Sequence, residues 1–143
     1  MVLKWASWAF FYGYVGLLIL AGAWGIFFAR VDASLLFDLD LDQLASTTEA
    51  SLLSQYRFLR ALELGFGLWA MLHRHAIHDR PDANRLFLSI MAAGVAARLI
   101  SLALDGSPSA PMYFFLVSEL VGVVLIFAYT RKTLRRSSDS FAP

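Results

Sequence analysis

The chain has 143 residues, of which 59% are hydrophobic and 16% are charged, and its net charge is +1. Soluble domains usually carry about 25% charged residues, so this composition excludes an ordinary soluble domain and favours a lipid environment. The absence of cysteine excludes disulfides, thiolate metal sites and cysteine nucleophiles.

Four long apolar runs follow one another along the chain, at about residues 5–29, 52–72, 86–104 and 112–130. Each approaches the ~20 apolar residues that a helix needs to cross a bilayer. The first run is too long for a signal peptide, whose apolar region has about 7–15 residues, so we interpret it as an uncleaved span. The sequence therefore predicts an all-α polytopic membrane protein: a four-helix transmembrane bundle that forms one domain over residues 1–143.

The connections between these runs differ in charge. Residues 30–51 are polar and acidic, residues 73–85 are basic, and residues 105–111 have the Gly and Pro content of a tight turn. The tail, residues 131–143, is basic and then rich in serine.

Positive charge in short loops marks the cytoplasmic side of a membrane protein. The segments before the first run, between the second and third, and after the fourth hold eight basic residues: Lys4, Arg74, Arg80, Arg85, Arg131, Lys132, Arg135 and Arg136. The other two connections hold Arg30 alone, with six acids: Asp32, Asp38, Asp40, Asp42, Glu49 and Asp105. Both termini are therefore predicted to be cytoplasmic.

Five ionisable residues fall inside the predicted spans: Arg57, Arg60, Glu63, Arg98 and Glu119. A charge at the centre of a bilayer costs about 2.5–3.5 kcal/mol on insertion scales, so such groups usually face the bundle interior and pair. Arg98 and Glu119 are almost equally distant from the turn near residue 108, which predicts that they pair at the same depth. Arg60 and Glu63 are expected near that level, in the outer half of the bundle.

The sequence is compatible with three interpretations of these charges. In the first they hold the helices together, in the second they line a pocket for a polar or anionic ligand, and in the third they form a path for protons or ions. Because three arginines outnumber two carboxylates within the spans, the ligand reading favours an anion, with Arg57 and Arg60 converging on it from one helix face.

Metal and nucleic-acid sites are not expected. The chain has three histidines, His73, His75 and His78, which we interpret as part of a solvated loop rather than a zinc site. Asp38, Asp40, Asp42 and Glu49 have calcium-loop spacing, but Gln43 replaces the required glycine. The basic residues outside the spans lie at membrane boundaries, where anionic lipid accounts for them. No cofactor is expected either.

Several motifs resemble a known family. They are Arg60 with Glu63, Gly65 and Gly67, the run from Ala97 to Leu102 leading to Gly106, Ser107 and Pro108, and Glu119. Together they resemble the bacterial "domain of unknown function 4345" family of small four-helix membrane proteins, over about residues 8–132. The resemblance implies a protein of the bacterial inner membrane and brings no established activity.

The expected function is therefore that of a non-enzymatic membrane protein. It acts as an accessory subunit of a membrane complex or binds a lipid-like ligand through the charge cluster. The alternative is a small membrane enzyme or transporter that acts on a polar lipid or an anionic small molecule. The expected partners are membrane lipid and other membrane subunits or a second copy of the chain, and no nucleic acid.

Overall fold

The computed structural model describes the backbone of residues 2–139 and the side chains of residues 2–131 and 134. It is all-helical in its long elements, with six α-helices: α1 (Val2–Phe27), α2 (Ala29–Phe37), α3 (Ser46–Leu72), α4 (Arg74–Asp79), α5 (Pro81–Leu104) and α6 (Ala110–Asp139). A 3₁₀ turn, Leu41–Gln43, lies between α2 and α3. The predicted all-α class is confirmed.

In the part of the chain that the structure describes, three helices are long and apolar enough to cross a membrane: α1, α5 and the part of α6 up to Arg131. Only a minority of their residues are buried inside the protein, and Leu20 and Leu104 remain 72% and 79% exposed. Apolar surface on this scale is stable in lipid and costly in water. These features indicate a membrane protein. The fourth long helix, α3, is interrupted by charged residues and is less apolar than these three.

The connection over residues 30–51 contains a helix that the sequence analysis did not predict. Residues 29–37 form α2, and α3 begins at Ser46, before the predicted start of the second apolar run. Ala29 and Ala33, one turn apart, pack with Leu41 and Leu53 in a small core. Asp38 ends α2 in the left-handed conformation (φ 53°), and its N–H donates to the Ser34 carbonyl. Such a residue is a common helix terminator.

The basic connection between α3 and α5 also contains a helix. Arg74–Asp79 form α4, and Pro81 begins α5, where its missing N–H costs no helical hydrogen bond. His78 lies in α4, is 1% exposed, and its ring stacks on Trp8 of α1 at 3.9 Å between centroids. Burial lowers the pKa of the His78 imidazole, so this side chain is neutral near pH 7.

The long helices pack in an order that leaves the bundle partly open. α1 lies in the middle, with α3 on one side and α6 on the other, and α5 packs on α6. At the end of the bundle that carries α4, α3 and α5 touch through the stacked rings of Phe66 and Phe87, 5.5 Å apart. Within residues 2–139 these two helices have no extensive contact toward the other end, which carries α2.

α1 and α3 approach closely because glycine lies at their crossing. A Cβ built on Gly22 would lie 2.7 Å from the Leu64 nitrogen and 2.8 Å from the Arg60 carbonyl oxygen, both backbone atoms of α3. Small residues are the usual means by which membrane helices approach each other at this distance. By contrast, a Cβ on Gly16 meets nothing within 4 Å.

We expect Gly22→Ala to lower thermal stability in mild detergent, by about 1–3 kcal/mol, because the added methyl group forces the two backbones apart. Gly16→Ala is the matched control on the same helix and should leave the midpoint unchanged or slightly raised. Equal melting temperatures for the two variants would show that the α1–α3 crossing does not determine the stability of the fold.

Candidate functional site

Arg60 of α3 is the centre of a buried polar group at the α2 end of the bundle. Its Nε donates to the Tyr56 hydroxyl at 2.6 Å and its Nη1 to Glu63 Oε2 at 2.6 Å. Tyr56 and Glu63 are four residues before and three residues after Arg60, so the helix itself brings all three to one face. A Cβ on Gly25 of α1 would lie 2.5 Å from the Arg60 Cγ, and this glycine thus makes room for the arginine.

Asp32 of α2 completes this group, and sequence reasoning missed it. Its carboxylate accepts from Trp24 Nε1 at 3.0 Å and from the Tyr56 hydroxyl at 2.6 Å, and it lies 3.7 Å from Arg60 Nη2. The side chain is only 8% exposed. The sequence had placed Asp32 in a solvated outer connection. The available signal was the apolar spacing of Ala29 and Ala33, which puts Asp32 beside them on a helix.

Arg98 and Glu119 form the second charged group. Arg98 Nε donates to Glu119 Oε2 at 2.8 Å and its Nη2 donates to Glu119 Oε1 at 3.1 Å. This two-point geometry is the strongest arrangement of an arginine and a carboxylate. The remaining nitrogen, Nη1, contacts the Met112 sulfur at 3.7 Å. The predicted pairing of Arg98 with Glu119 is confirmed, and it ties α5 to α6.

Arg57 stands apart from both groups. Its side chain is exposed, and its Nε donates to the carbonyl of Ile26 at the end of α1 at 3.1 Å. Arg57 and Arg60 are separated by a rotation of about 60° around the α3 axis, which is enough to leave Arg57 at the edge of the polar face. The structure therefore does not bring Arg57 and Arg60 together on one ligand, as the sequence had suggested.

A cleft of about 230 Å³ separates the two charged groups. Arg60 and Glu63 line it from α3, and Arg98 lines it from α5. Leucines and aromatic rings supply the rest of the wall, mainly Leu17, Leu18, Leu59, Tyr14, Tyr56 and Phe115. The cleft lies where α3 and α5 diverge above the Phe66–Phe87 contact. A largely apolar wall with a few placed charges is typical of small-molecule sites.

In each charged group, one side chain is more exposed than its partners. The side chains of Glu63 and Arg98 are 35% and 31% exposed, whereas those of Arg60, Asp32 and Glu119 are 11%, 8% and 13% exposed. A ligand in the cleft therefore meets one carboxylate on the α3 side and one guanidinium on the α5 side.

The buried charge balance is the reverse of the one expected from the spans. Three carboxylates, Asp32, Glu63 and Glu119, accompany two guanidinium groups, Arg60 and Arg98, which leaves one excess negative charge. Asp32 adds an acid and Arg57 leaves the group. The excess lies on the α3 side, because Arg98 and Glu119 balance each other.

The histidines and the acidic loop are placed elsewhere. His73 is exposed, His75 lies next to Trp8, and His78 is buried in α4. Asp40 caps the 3₁₀ turn by accepting from the Asp42 N–H. Among the described residues no three His, Asp or Glu side chains are arranged to hold a metal ion. Lys132, Arg135 and Arg136 of the predicted tail lie outside the described side chains.

The sequence profile of the family described as "domain of unknown function (DUF4345)" matches residues 2–130. The chain belongs to this family. The match takes in α1 to α5, most of α6, both charged groups and the cleft. Comparison with curated proteins and with solved structures gives no match.

The Arg98–Glu119 pair makes a direct prediction for stability. Arg98→Leu and Glu119→Leu should each destabilise the protein in detergent by up to about 3–5 kcal/mol, because each leaves the other charge buried without its partner. The double variant should recover part of this loss. Thermal unfolding of the four proteins forms a double-mutant cycle, and strictly additive losses would contradict the coupling.

Proposed function

We propose that the protein is a four-helix transmembrane protein of the bacterial inner membrane in which α3 is the fourth span. α3 has 27 residues, which corresponds to roughly 40 Å at 1.5 Å per residue and is more than a bilayer requires. It packs along α1, which is itself long and apolar enough to span. Its charges have partners: Arg60 and Glu63 pair with each other, and Arg57 reaches toward the end of α1. Such pairing is how membrane helices tolerate ionisable residues.

The charge distribution supports an orientation with both termini in the cytoplasm. Lys4 precedes the apolar part of α1, and Arg74, Arg80 and Arg85 surround α4, so these four belong to one end of the bundle. The α2 end carries the acids of residues 38–49, and its Arg30 pairs with Glu49. Positive residues on the α4 side favour a cytoplasmic location for that side. The basic residues after Thr130 follow the end of the last apolar run and add to the same side.

We propose further that the protein is a non-enzymatic binder of a lipid-like molecule, which lies in the cleft with its polar end between Glu63 and Arg98. The observation that carries this proposal is the cleft itself, with leucine and aromatic walls and one partly exposed charge on each side. Because α3 and α5 diverge there, the proposed ligand has access from the surrounding lipid. The two buried arginines, Arg60 and Arg98, are paired with carboxylates and stay protonated, which disfavours a proton path.

A second candidate, an accessory subunit or homo-oligomer, is favoured by the outer surface of α5. Ala92, Ala93, Gly94, Ala96 and Ala97 are all exposed on this helix. Small residues on a lipid-facing helix permit close approach by another helix, and van der Waals packing of this kind drives association in membranes. This role is compatible with ligand binding, because α5 also forms one wall of the cleft.

The orientation is testable with reporters that are active only in the cytoplasm. A reporter inserted next to Asp79 in α4, or fused to the C-terminus, should be active. One inserted next to Asp40, between α2 and α3, should be silent. Activity at Asp40 would contradict the proposed orientation, and activity at Asp40 with silence at Asp79 would reverse it.

The ligand proposal is testable by native mass spectrometry of the protein released from mild detergent. We expect the wild-type protein to retain a bound lipid-sized mass. Leu59→Trp, which fills the cleft from α3, should lose most of it because the indole occupies the space of the ligand. Arg57→Gln is the matched control, since Arg57 lies on the same helix but outside the cleft. Equal retention by wild-type protein and Leu59→Trp would contradict binding in the cleft.

A further inference from the structure

The two charged groups on either side of the cleft together hold one more carboxylate than guanidinium group. On the α3 side, Arg60 is shared between two carboxylates, Asp32 at 3.7 Å and Glu63 at 2.6 Å. On the α5 side, Glu119 occupies Arg98 through two hydrogen bonds. A buried charge without a counter-charge is expensive, so the excess on the α3 side favours a bound cation.

Glu63 is where such a cation has access. It is the most exposed of the three carboxylates, and it lines the cleft. Its Oε2 accepts from Arg60. Among the described side chains, 2–131 and 134, none donates a hydrogen bond to its second oxygen, Oε1. This oxygen shares the negative charge of the carboxylate, so a cationic group of a ligand can lie against it.

Aromatic rings surround the same space. Tyr14, Tyr56, Phe37 and Phe115 all line the cleft, and the guanidinium carbons of Arg60 and Arg98 already lie over Tyr56 and Phe115, at 4.8 and 5.6 Å from the ring centroids. Aromatic faces attract organic cations, and cages of aromatic residues are a recurring way to bind alkylated ammonium groups. An anion, by contrast, meets arginines whose donors are mostly engaged, and the two charged groups around the cleft together carry a net negative charge.

We infer that the ligand of the cleft carries an organic ammonium group, which is held against Glu63 among these aromatic rings while its apolar part lies along Leu17, Leu18 and Leu59. This inference rests on the proposed ligand-binding function and specifies the chemistry of the polar end. It replaces the anion that the arginine count of the spans had favoured. The ammonium belongs either to a lipid-like amphiphile or to a small soluble amine, and Glu63 binds the ammonium group of either one.

The test compares probes with the protein in dodecyl maltoside micelles, by thermal-shift titration. Dodecyltrimethylammonium and dodecyl phosphate have the same tail and opposite charge, and tetramethylammonium has the cation without a tail. We expect saturable stabilisation by dodecyltrimethylammonium, with an affinity roughly tenfold or more above that for dodecyl phosphate, because only the ammonium is attracted to Glu63 and the aromatic faces. Glu63→Gln should remove this preference. Asp105→Asn, which removes a negative charge from the exposed turn after α5, should keep it.

Each outcome separates the inference from the function on which it rests. If dodecyl phosphate binds as tightly as the ammonium probe or more tightly, and Leu59→Trp abolishes this binding, the cleft binds amphiphiles but the ammonium inference is wrong. If Leu59→Trp affects neither probe, the proposed function fails, and the inference fails with it. Equal binding of tetramethylammonium would support the ammonium group and assign it to a small amine. If Glu63→Gln does not fold, the relative affinities of the wild-type protein for the ammonium and phosphate probes still test the inference.

Discussion

The close packing of α1 on α3 is the constraint on which the site depends. Gly22 brings the two backbones together, and Gly25, one turn further along α1, leaves the space that the Arg60 side chain occupies. With a larger residue at Gly25, Arg60 has no room to lie between the helices and reach Asp32. The glycine content of the first apolar run thus has two effects, a short distance between helices and a buried position for a charged side chain.

Much of the fold was predictable because its signal is local. The four apolar runs gave the long helices, with errors at their ends, and the equal distance of Arg98 and Glu119 from one turn gave their pairing. α2 was missed because its nine residues lie in an acid-rich segment, and hydropathy carries no signal for so short a helix. Asp32 was missed with it. Asp32 comes close to Tyr56 and Arg60 only when α2 packs against α3, and this packing cannot be predicted from local sequence.

The misplacement of Arg57 has a similar origin. Sequence spacing places Arg57 and Arg60 on neighbouring positions of a helix surface, but it does not show which edge of that surface the next helix covers. α1 covers Arg60 and leaves Arg57 exposed at its end. The count of charges in the spans was therefore a poor guide to the charge of the site. The correct count needed the pairing of the helices.

The cleft itself follows from how the two charged groups are satisfied. The Arg60 group closes on α3 and α2, and the Arg98 group closes on α5 and α6, so each is nearly complete without the other. No ion pair within the described residues draws α3 toward α5, and the only ring contact between them, Phe66 with Phe87, lies at the α4 end. Had Arg98 paired with Glu63, the same residues would have closed the bundle and filled this space. Arg98 pairs with Glu119 instead, so Glu63 remains at the wall of an open cleft and shares Arg60 with Asp32. The excess negative charge therefore lies beside the cleft.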